Sequence, residues 1–306
     1  MRCIYCMPDN NTKWFQQDDI LSYDEIVRLA SVLAKLGIKK IRITGGEPLV
    51  RPNLDVLVRK LSNVKDIESL SMTTNGLLLA DMAKNLKEAG LESVNISLDT
   101  FSDKIFEKIS GVKGLQRVLD GISAAEKAGL KIKINTVIVR GWNENEIVNF
   151  AKFSRETGHP VRFIEFMPLD GTGMWRPELV VSKKEMISII EQDVKKLEPL
   201  NNDNHEPAKL YSFADGKGTI GFIPSMTEPF CSTCDRVRIT STGRFLTCLF
   251  EKDGYDLKNL LRDKKSDQEI IDYILESMNK KPEGVIKLIR INAIKPTLNL
   301  MHTIGG

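Results

Sequence analysis

Short β-branched runs alternate with amphipathic segments along the first half of the chain. Apolar positions recur at helical spacing over residues 24–36, and a β-branched run follows at 40–44. Repetition of this order predicts strands at 40–44, 69–73, 93–97, 131–139 and 161–166. It predicts helices at 24–36, 54–61, 81–89, 103–109, 115–128 and 144–156. Because no Gly- or Pro-rich linker divides them, we expect an α/β fold with a parallel sheet or barrel.

The pattern changes after residue 168. The later sequence predicts a helix at 183–195, hairpins at 210–224 and 236–250, and helices at 257–262 and 267–279. We therefore expect a barrel at 1–215 and an α+β region at 216–306. The run from Gly216 to Gly221 matches G-x-G-x-x-G, but no helical pattern follows it. A turn is therefore favoured over a dinucleotide site.

Charge and hydropathy narrow the class of protein. The 306 residues include 44 Lys and Arg against 41 Asp and Glu, a net charge of +3. This balance gives no broad basic surface for nucleic acid, so an anion site would have to be local. No apolar run has membrane-spanning length, and no signal peptide is visible at the start. We expect a cytoplasmic protein with no membrane or nucleic-acid partner.

Five cysteines form two groups. Cys3 and Cys6 are two residues apart, as are Cys231 and Cys234, and Cys248 follows after a hairpin that folds it back beside Cys234. An odd number of cysteines is a poor disulfide framework. A closed zinc site uses four protein ligands, whereas three thiolates without a clear fourth favour an iron–sulfur cluster with one open iron. A structural zinc site remains the alternative.

Polar or backbone-exposing residues follow four of the predicted strands. These segments are Gly-Gly-Glu-Pro at 45–48, Thr-Thr-Asn-Gly at 73–76, Ser-Leu-Asp at 97–99 and Phe-Met-Pro at 166–168. The carboxyl ends of barrel strands meet at one face, where such folds build their active sites. The sequence therefore predicts a site at this face, with the first cysteine pair nearby.

These motifs resemble those of the radical S-adenosylmethionine (SAM) enzymes. Among them the chain is similar to the molybdenum cofactor biosynthesis protein A family, the GTP 3′,8-cyclases. The similar segments are RCIYCMP at 2–8, RITGGEPLVR at 42–51, MTTNG at 72–76, VNISLD at 94–99, KINTVIVRG at 133–141, FIEFMPL at 163–169, FCSTCDRVRIT at 230–240, CLF at 248–250 and the final IGG. The resemblance implies an incomplete (βα)6 TIM-type barrel, with its first strand missing, and a carboxyl-terminal iron–sulfur region.

The resemblance also assigns residues. It implies cluster ligands at Cys3 and Cys6, and a second set at Cys231, Cys234 and Cys248. It implies SAM contacts at Tyr5, Gly46, Ser97 and Met167. It implies GTP contacts at Arg42, Thr73, Lys133, Arg236 and Arg238, with an accessory tail at Gly305 and Gly306. Arg236 and Arg238 alternate on a predicted strand, and guanidinium groups match phosphate oxygens in pairs.

The implied reaction converts GTP to 3′,8-cyclo-7,8-dihydro-GTP by way of a 5′-deoxyadenosyl radical. It would use two [4Fe–4S] clusters, SAM and an external electron donor. A downstream cyclic pyranopterin monophosphate synthase would be the pathway partner, and a homodimer is left open.

The chain departs from the family at its start. The family motif is C-x3-C-x2-C, and its first cysteine would fall two residues before Met1. We expect a misassigned or shortened start, poor assembly of the first cluster on two thiolates, and an open sheet edge beside 40–44. Two further alternatives follow. One is a GTP-binding form that cannot cleave SAM, and the other is a radical SAM enzyme acting on another substrate, such as a peptide.

Overall fold

A large mixed sheet with helices on one face and a small second sheet make up the chain. The computed structural model describes residues 1–7, 15–169, 173–201, 206–251, 253–281 and 284. The helices are α1 Tyr23–Lys35, α2 Leu54–Ser62, α3 Leu79–Glu88, α4 Asp103–Ser110, α5 Leu115–Lys127, α6 Ile147–Thr157, α7 Lys183–Asp193, α8 Leu257–Arg262 and α9 Asp267–Met278. The strands are β1 Lys40–Ile43, β2 Ser69–Thr74, β3 Ser93–Ser97, β4 Lys131–Ile138, β5 Val161–Glu165, β6 Leu197–Pro199, β7 Lys209–Phe213, β8 Thr219–Ile223, β9 Arg238–Ile239, β10 Arg244–Leu246 and β11 Tyr255–Asp256.

The large sheet has the order β1-β2-β3-β4-β5-β8-β7-β6. Strands β1 to β5 and β8 run parallel, and β7 and β6 extend the sheet antiparallel. The α/β fold and its parallel order, predicted from the sequence, are thus confirmed. Among the described residues β1 pairs with β2 alone, so β1 is an edge strand of the large sheet.

The two faces of the parallel strands differ in polarity. On β4, Ile132, Ile134 and Ile138 are buried in the main core, which the helices cover. Lys133 and Asn135 alternate with them and point to the opposite side. We call this opposite side the inner face. Because polar residues line it, this face differs from the layers of bulky apolar side chains that fill the interior of a closed barrel.

Helix α1 joins the sheet to the carboxyl-terminal region. Its residues Leu29 and Val32 share a second core with Phe245 of β10 and Ile270 of α9. On the surface of this contact, Arg28 Nε donates a hydrogen bond to Asp267 Oδ1 at 3.1 Å, and Lys35 Nζ lies 2.9 Å from Asp267 Oδ2. The region that carries the second cysteine group is therefore fixed to the amino-terminal helix.

Both predicted hairpins are present, as the pairs β7–β8 and β9–β10. The expected boundary at 215/216 falls in the turn between β7 and β8, and both strands belong to the large sheet. The division at that point stays a prediction. The predicted strand 236–240 is shorter than expected, since β9 holds only Arg238 and Ile239. Arg236 therefore lies ahead of the strand.

No helix within the described ranges combines the length and apolar character that a membrane crossing requires.

Candidate active site

The amino-terminal cysteines lie in one tight turn. The backbone N–H groups of Cys6 and Met7 donate hydrogen bonds to the Cys3 carbonyl, at 2.9 and 2.8 Å. The N–H groups of Arg2 and Ile4 donate to carbonyls at the end of α4, which fixes the turn against the sheet. The hydrogen bond between the two thiols, followed by burial, raises the pKa of Cys3, and the same bond lowers the pKa of Cys6. The C-x2-C spacing thus brings both thiols to one point.

Tyr5, between these cysteines, is held by a carboxylate at the end of β3. Its hydroxyl donates a hydrogen bond to Asp99 Oδ2 at 2.5 Å, while the Val137 N–H donates to Asp99 Oδ1 at 2.9 Å. Burial raises the pKa of Asp99 to about 6, although both hydrogen bonds act in the other direction. The Ser-Leu-Asp segment was predicted to be part of the site. The structure adds that Asp99 fixes the cysteine turn to it.

Glu47 fixes the neighbouring glycine loop. It accepts hydrogen bonds from Thr74 Oγ1 at 2.7 Å and from the Asn75 N–H at 2.8 Å, so the loop of Gly46 is tied to the end of β2. Burial raises the pKa of Glu47 despite these donors. Register places another predicted SAM residue, Ser97, at the same edge, two residues beyond the level of Thr73 on β2. The predicted strand ends therefore lie near one another, and Glu47, within the predicted Gly-Gly-Glu-Pro segment, ties two of them together.

Met167 follows β5 at this edge and is partly buried. Beside it, the ring of Phe166 lies edge-on to Tyr5, with 6.3 Å between centroids, and its carbonyl accepts a hydrogen bond from Trp175 Nε1 at 2.8 Å. The four residues predicted to contact SAM thus occur on segments that meet near the first cysteine turn.

Cationic side chains gather over the inner face. Burial, and after it the positive charges of Arg162 and Arg236, lowers the pKa of Arg42. Burial and Arg162 likewise lower the pKa of Lys133, and burial and Arg236 lower the pKa of Arg238 to about 10. Because β1 and β5 are separated by three strands, an interaction between Arg42 and Arg162 indicates that the inner face is concave. At Arg42, Lys133 and Arg238, burial thus acts together with neighbouring positive charge.

Arg162 was not among the predicted residues. It is buried on β5, its Nε has no hydrogen-bond partner among the described residues, and Glu206 Oε2 lies 3.7 Å from its Nη2. Gly221 on β8 leaves room for it, since a Cβ there would lie 3.1 Å from Arg162 Cγ. The signal in the sequence was a single charge within the apolar run 161–164.

The second hairpin brings members of the second cysteine group near one another. Pairing of Leu246 with Arg238 turns the chain back, which returns Cys248 to the side of Cys234. Cys231 and Cys248 meet beside Gly284, where an added Cβ would lie 2.9 Å from one sulfur and 3.8 Å from the other. Glycine is required at this position because a side chain would enter the space between the thiols.

Positive charge adjoins these thiols. Arg236 Nη2 lies 3.8 Å from Cys234 Sγ, and its guanidinium lies over the Phe230 ring, 4.8 Å from the centroid. Burial acts to raise the pKa of Cys234, but the backbone N–H and charge of Arg236 and the charge of Lys281 lower it overall. Burial raises the pKa of Cys248. The second cysteine group therefore lies beside cations that also lie over the inner face.

The two cysteine groups offer different numbers of thiolate ligands. Thiolates are the ligands that iron–sulfur clusters use, and three of them with one open position suit the carboxyl-terminal site. The amino-terminal turn supplies two thiols among the described residues. In those same ranges, no three His, Cys, Asp or Glu side chains are grouped so as to hold a single metal ion. Gly305 and Gly306 lie outside the described residues.

Comparison with known proteins identifies relatives along the whole chain. Residues 1–154 match the Radical SAM superfamily, and residues 159–286 match Molybdenum Cofactor Synthesis C. The GTP 3′,8-cyclase of Thermodesulfovibrio yellowstonii is 41% identical over 308 residues, which cover all of this chain and 94% of the relative. The GTP 3′,8-cyclase of Rhodopirellula baltica is 40% identical, over all of this chain and 86% of its own.

A eukaryotic protein and a solved structure are also similar to this chain. Molybdenum cofactor biosynthesis protein 1 of Mus musculus is 40% identical over 96% of this chain and 46% of its own. The structure of Streptococcus suis SuiB bound to S-adenosylmethionine superposes with a TM-score of 0.60, at 15% identity, over 88% of this chain and 64% of that one. This last similarity concerns the fold alone. The chain belongs to the radical SAM superfamily and, within it, to the family of GTP 3′,8-cyclases of molybdenum cofactor biosynthesis.

Proposed function

We propose that this protein converts GTP to 3′,8-cyclo-7,8-dihydro-GTP in molybdenum cofactor biosynthesis. The observation that carries the proposal is a group of five cations over the inner face and beside the second cysteine site, Arg42, Lys133, Arg162, Arg236 and Arg238. A nucleoside triphosphate is heavily anionic, so its oxygens would offset the burial and, after it, the neighbouring positive charges that lower the pKa values of Arg42, Lys133 and Arg238. Arginine forks can also bind phosphate oxygens in pairs.

Unused donors support an anionic ligand. The Nε atoms of Arg162 and Arg236 are buried without hydrogen-bond partners among the described residues. Buried donors normally find partners, so a donor left without one points to a group that binds there. Arg236 also adjoins Cys234, which suits a ligand whose phosphates contact the arginines while its base faces the second cysteine site.

Strand register supports an arrangement of the two ligands side by side. Thr73, Asn95 and Lys133 form one level across the inner face, and Ser97, Asn135 and Arg162 form the next. Two residues along a strand span about 6.6 Å. SAM near Ser97 and the GTP ribose near Lys133, one level earlier, would therefore be within reach of each other.

Cys3 and Cys6 would hold the first [4Fe–4S] cluster, with Tyr5, Gly46, Ser97 and Met167 around SAM, and Cys231, Cys234 and Cys248 would hold the second cluster. When bound and reduced by an external electron donor, the first cluster and SAM supply the radical chemistry that removes hydrogen from the GTP ribose. The protein's own residues bind the phosphates, orient the ribose and exclude water. A cyclic pyranopterin monophosphate synthase would take the product, whereas a homodimer and the cytoplasm stay predictions.

The two-thiol amino-terminal site favours one alternative, a chain that binds GTP but does not cleave SAM. Anaerobic reconstitution followed by iron and sulfide analysis separates the two. About eight of each per chain agrees with two clusters, and about four agrees with the second cluster alone. Zinc in place of iron would contradict both readings.

Product analysis then tests the reaction itself. With dithionite, SAM and GTP, we expect 5′-deoxyadenosine and a cyclised GTP product by liquid chromatography and mass spectrometry. Arg236→Met should weaken GTP binding by about tenfold or more, because it removes a charged phosphate contact. Arg244→Met on the same hairpin is the matched control, since Arg244 is half exposed and lies 3.9 Å from Asp256. Formation of 5′-deoxyadenosine while GTP stays unchanged would point to another substrate.

A further inference from the structure

Two neighbouring lysines after α9 behave differently. The Lys280 ammonium is exposed and pairs with Glu276 one turn earlier, at 2.7 Å. The Lys281 ammonium turns inward and donates a hydrogen bond to the Cys234 carbonyl, also at 2.7 Å. The chain thus directs one lysine into the second cysteine site, from a position 47 residues further along the sequence.

The same hydrogen bond holds the Lys281 ammonium, a positive charge, beside the Cys231–Cys234 turn. Gly284, three residues later, lies against the sulfurs of Cys231 and Cys248. The segment after α9 therefore contributes one fixed positive charge and one point of close backbone approach to the site.

We propose that Lys281 is a positioning residue for the second iron–sulfur cluster, holding the Cys231–Cys234 turn by a carbonyl and setting the charge next to the cluster. The inference rests on the proposed function, in which this cluster is present. Its chemical consequence concerns reduction. Taking up one electron adds one negative charge to the cluster and makes or breaks no bond, and the electron comes from a low-potential one-electron reductant. A nearby ammonium favours the more negative state, so it raises the reduction potential.

The experiment measures the midpoint potential of the second cluster alone. A Cys3→Ser, Cys6→Ser parent removes the amino-terminal thiols, so the spectroscopic signal comes from one cluster. Lys281→Met is compared with Lys280→Met, which removes the same charge one residue away and facing solvent. Lys281→Arg tests whether a different cation of similar length keeps the midpoint potential of the second cluster near that of the parent.

We expect Lys281→Met to lower the reduced-to-oxidised ratio at a fixed potential by about tenfold, which is a shift of about 59 mV for one electron. Lys280→Met should match the parent, and Lys281→Arg should recover most of the shift. Loss of iron from Lys281→Met but not from Lys280→Met, with the far-ultraviolet circular dichroism unchanged, would also support the positioning role.

Two results would overturn the inference, and they are distinguishable. A cluster that is retained in Lys281→Met with an unchanged potential removes the role of Lys281 and leaves the proposed function intact. A parent that binds no iron–sulfur cluster at Cys231, Cys234 and Cys248 removes the second cluster from the proposed function, and the inference with it.

Discussion

Replacing Glu165 by glutamine should loosen the loop that leads to the second cysteine group. Glu165 ends β5 and is fully buried. Its Oε1 accepts hydrogen bonds from the Lys183 N–H at 3.0 Å and the Thr227 hydroxyl at 2.5 Å. Its Oε2 accepts from the N–H groups of Met226 and Thr227, at 2.9 and 2.8 Å. One carboxylate thus holds the start of α7 and the loop before Cys231 at the edge predicted to bind SAM.

Glutamine has nearly the same shape but only one accepting oxygen. With that oxygen toward Met226 and Thr227, its NH2 group faces the Lys183 N–H, and two donors meet. In the reverse orientation the NH2 group would face two backbone donors, the N–H groups of Met226 and Thr227, so the first orientation is preferred. The Thr227 hydroxyl can turn and accept, but the Lys183 N–H cannot. One hydrogen bond to a charged group is lost, at about 1.5 to 3 kcal/mol, and a buried donor is left unsatisfied, at about 1 to 3 kcal/mol. A loss of about 3 kcal/mol is expected.

Urea unfolding of the apo protein gives this free energy, and hydrogen exchange at the Met226 and Thr227 amides shows where it is lost. Glu156→Gln is the control, because Glu156 is exposed on α6. The result that would refute this is a free energy of unfolding for Glu165→Gln within about 0.5 kcal/mol of the parent's, as for surface substitutions, with both amides still protected from exchange. This carboxylate would then not fix the loop.

Three further predictions concern other parts of the chain. The pKa of Asp99 is about 6 in the folded protein against 3.8 ordinarily, so the folded state holds this proton more tightly. As the pH rises from about 4 to 6, the free energy of unfolding of the apo parent should therefore fall by about 3 kcal/mol relative to that of Asp99→Asn. Parallel pH profiles of unfolding would contradict this. Gly218→Ala should destabilise the chain more than Gly216→Ala in urea titrations. Both glycines have positive φ, which costs roughly 1 to 2 kcal/mol with a side chain, but only at Gly218 would a Cβ lie 2.8 Å from the Ser154 carbonyl oxygen. Equal losses would show that this contact relaxes. Leu29→Ala should cost about 2 to 5 kcal/mol and expose the carboxyl-terminal region to limited proteolysis, because Leu29 is buried between α1 and that region. Unchanged digestion would show that the second core does not fix it.

The parallel sheet could be predicted because each strand carries its own local pattern and is followed by an amphipathic helix. Predicted ends differ from the observed ones by one or two residues in most elements, as with the helix 24–36 and α1 Tyr23–Lys35. Strands β6 and β11 were not predicted. They are three and two residues long, and pairing with β7 and β10 defines them rather than any local periodicity.

The candidate site divides in a similar way. Cysteine spacing and the strand-end motifs indicated the residues that carry chemistry, and the structure brings them near one another. Arg162 and Glu165 were missed, and Glu47 was given no role within its predicted segment, because their importance lies in contacts with distant segments. Individual ligand roles stay predictions, since the resemblance supplied them.

The contact between α1 and α9 also determines when the site can form. Arg28 and Asp267 are 239 residues apart in the chain. At a synthesis rate of about 5 to 20 residues per second, roughly 12 to 48 s separate their emergence from the ribosome. During that interval the parallel sheet can fold while its cationic inner face stays open to solvent. Such long-range contacts form late because loop closure must precede them, so docking of the carboxyl-terminal cysteines is expected to be the last folding step. A nascent chain would therefore carry the amino-terminal cysteine turn before the second cysteine site exists.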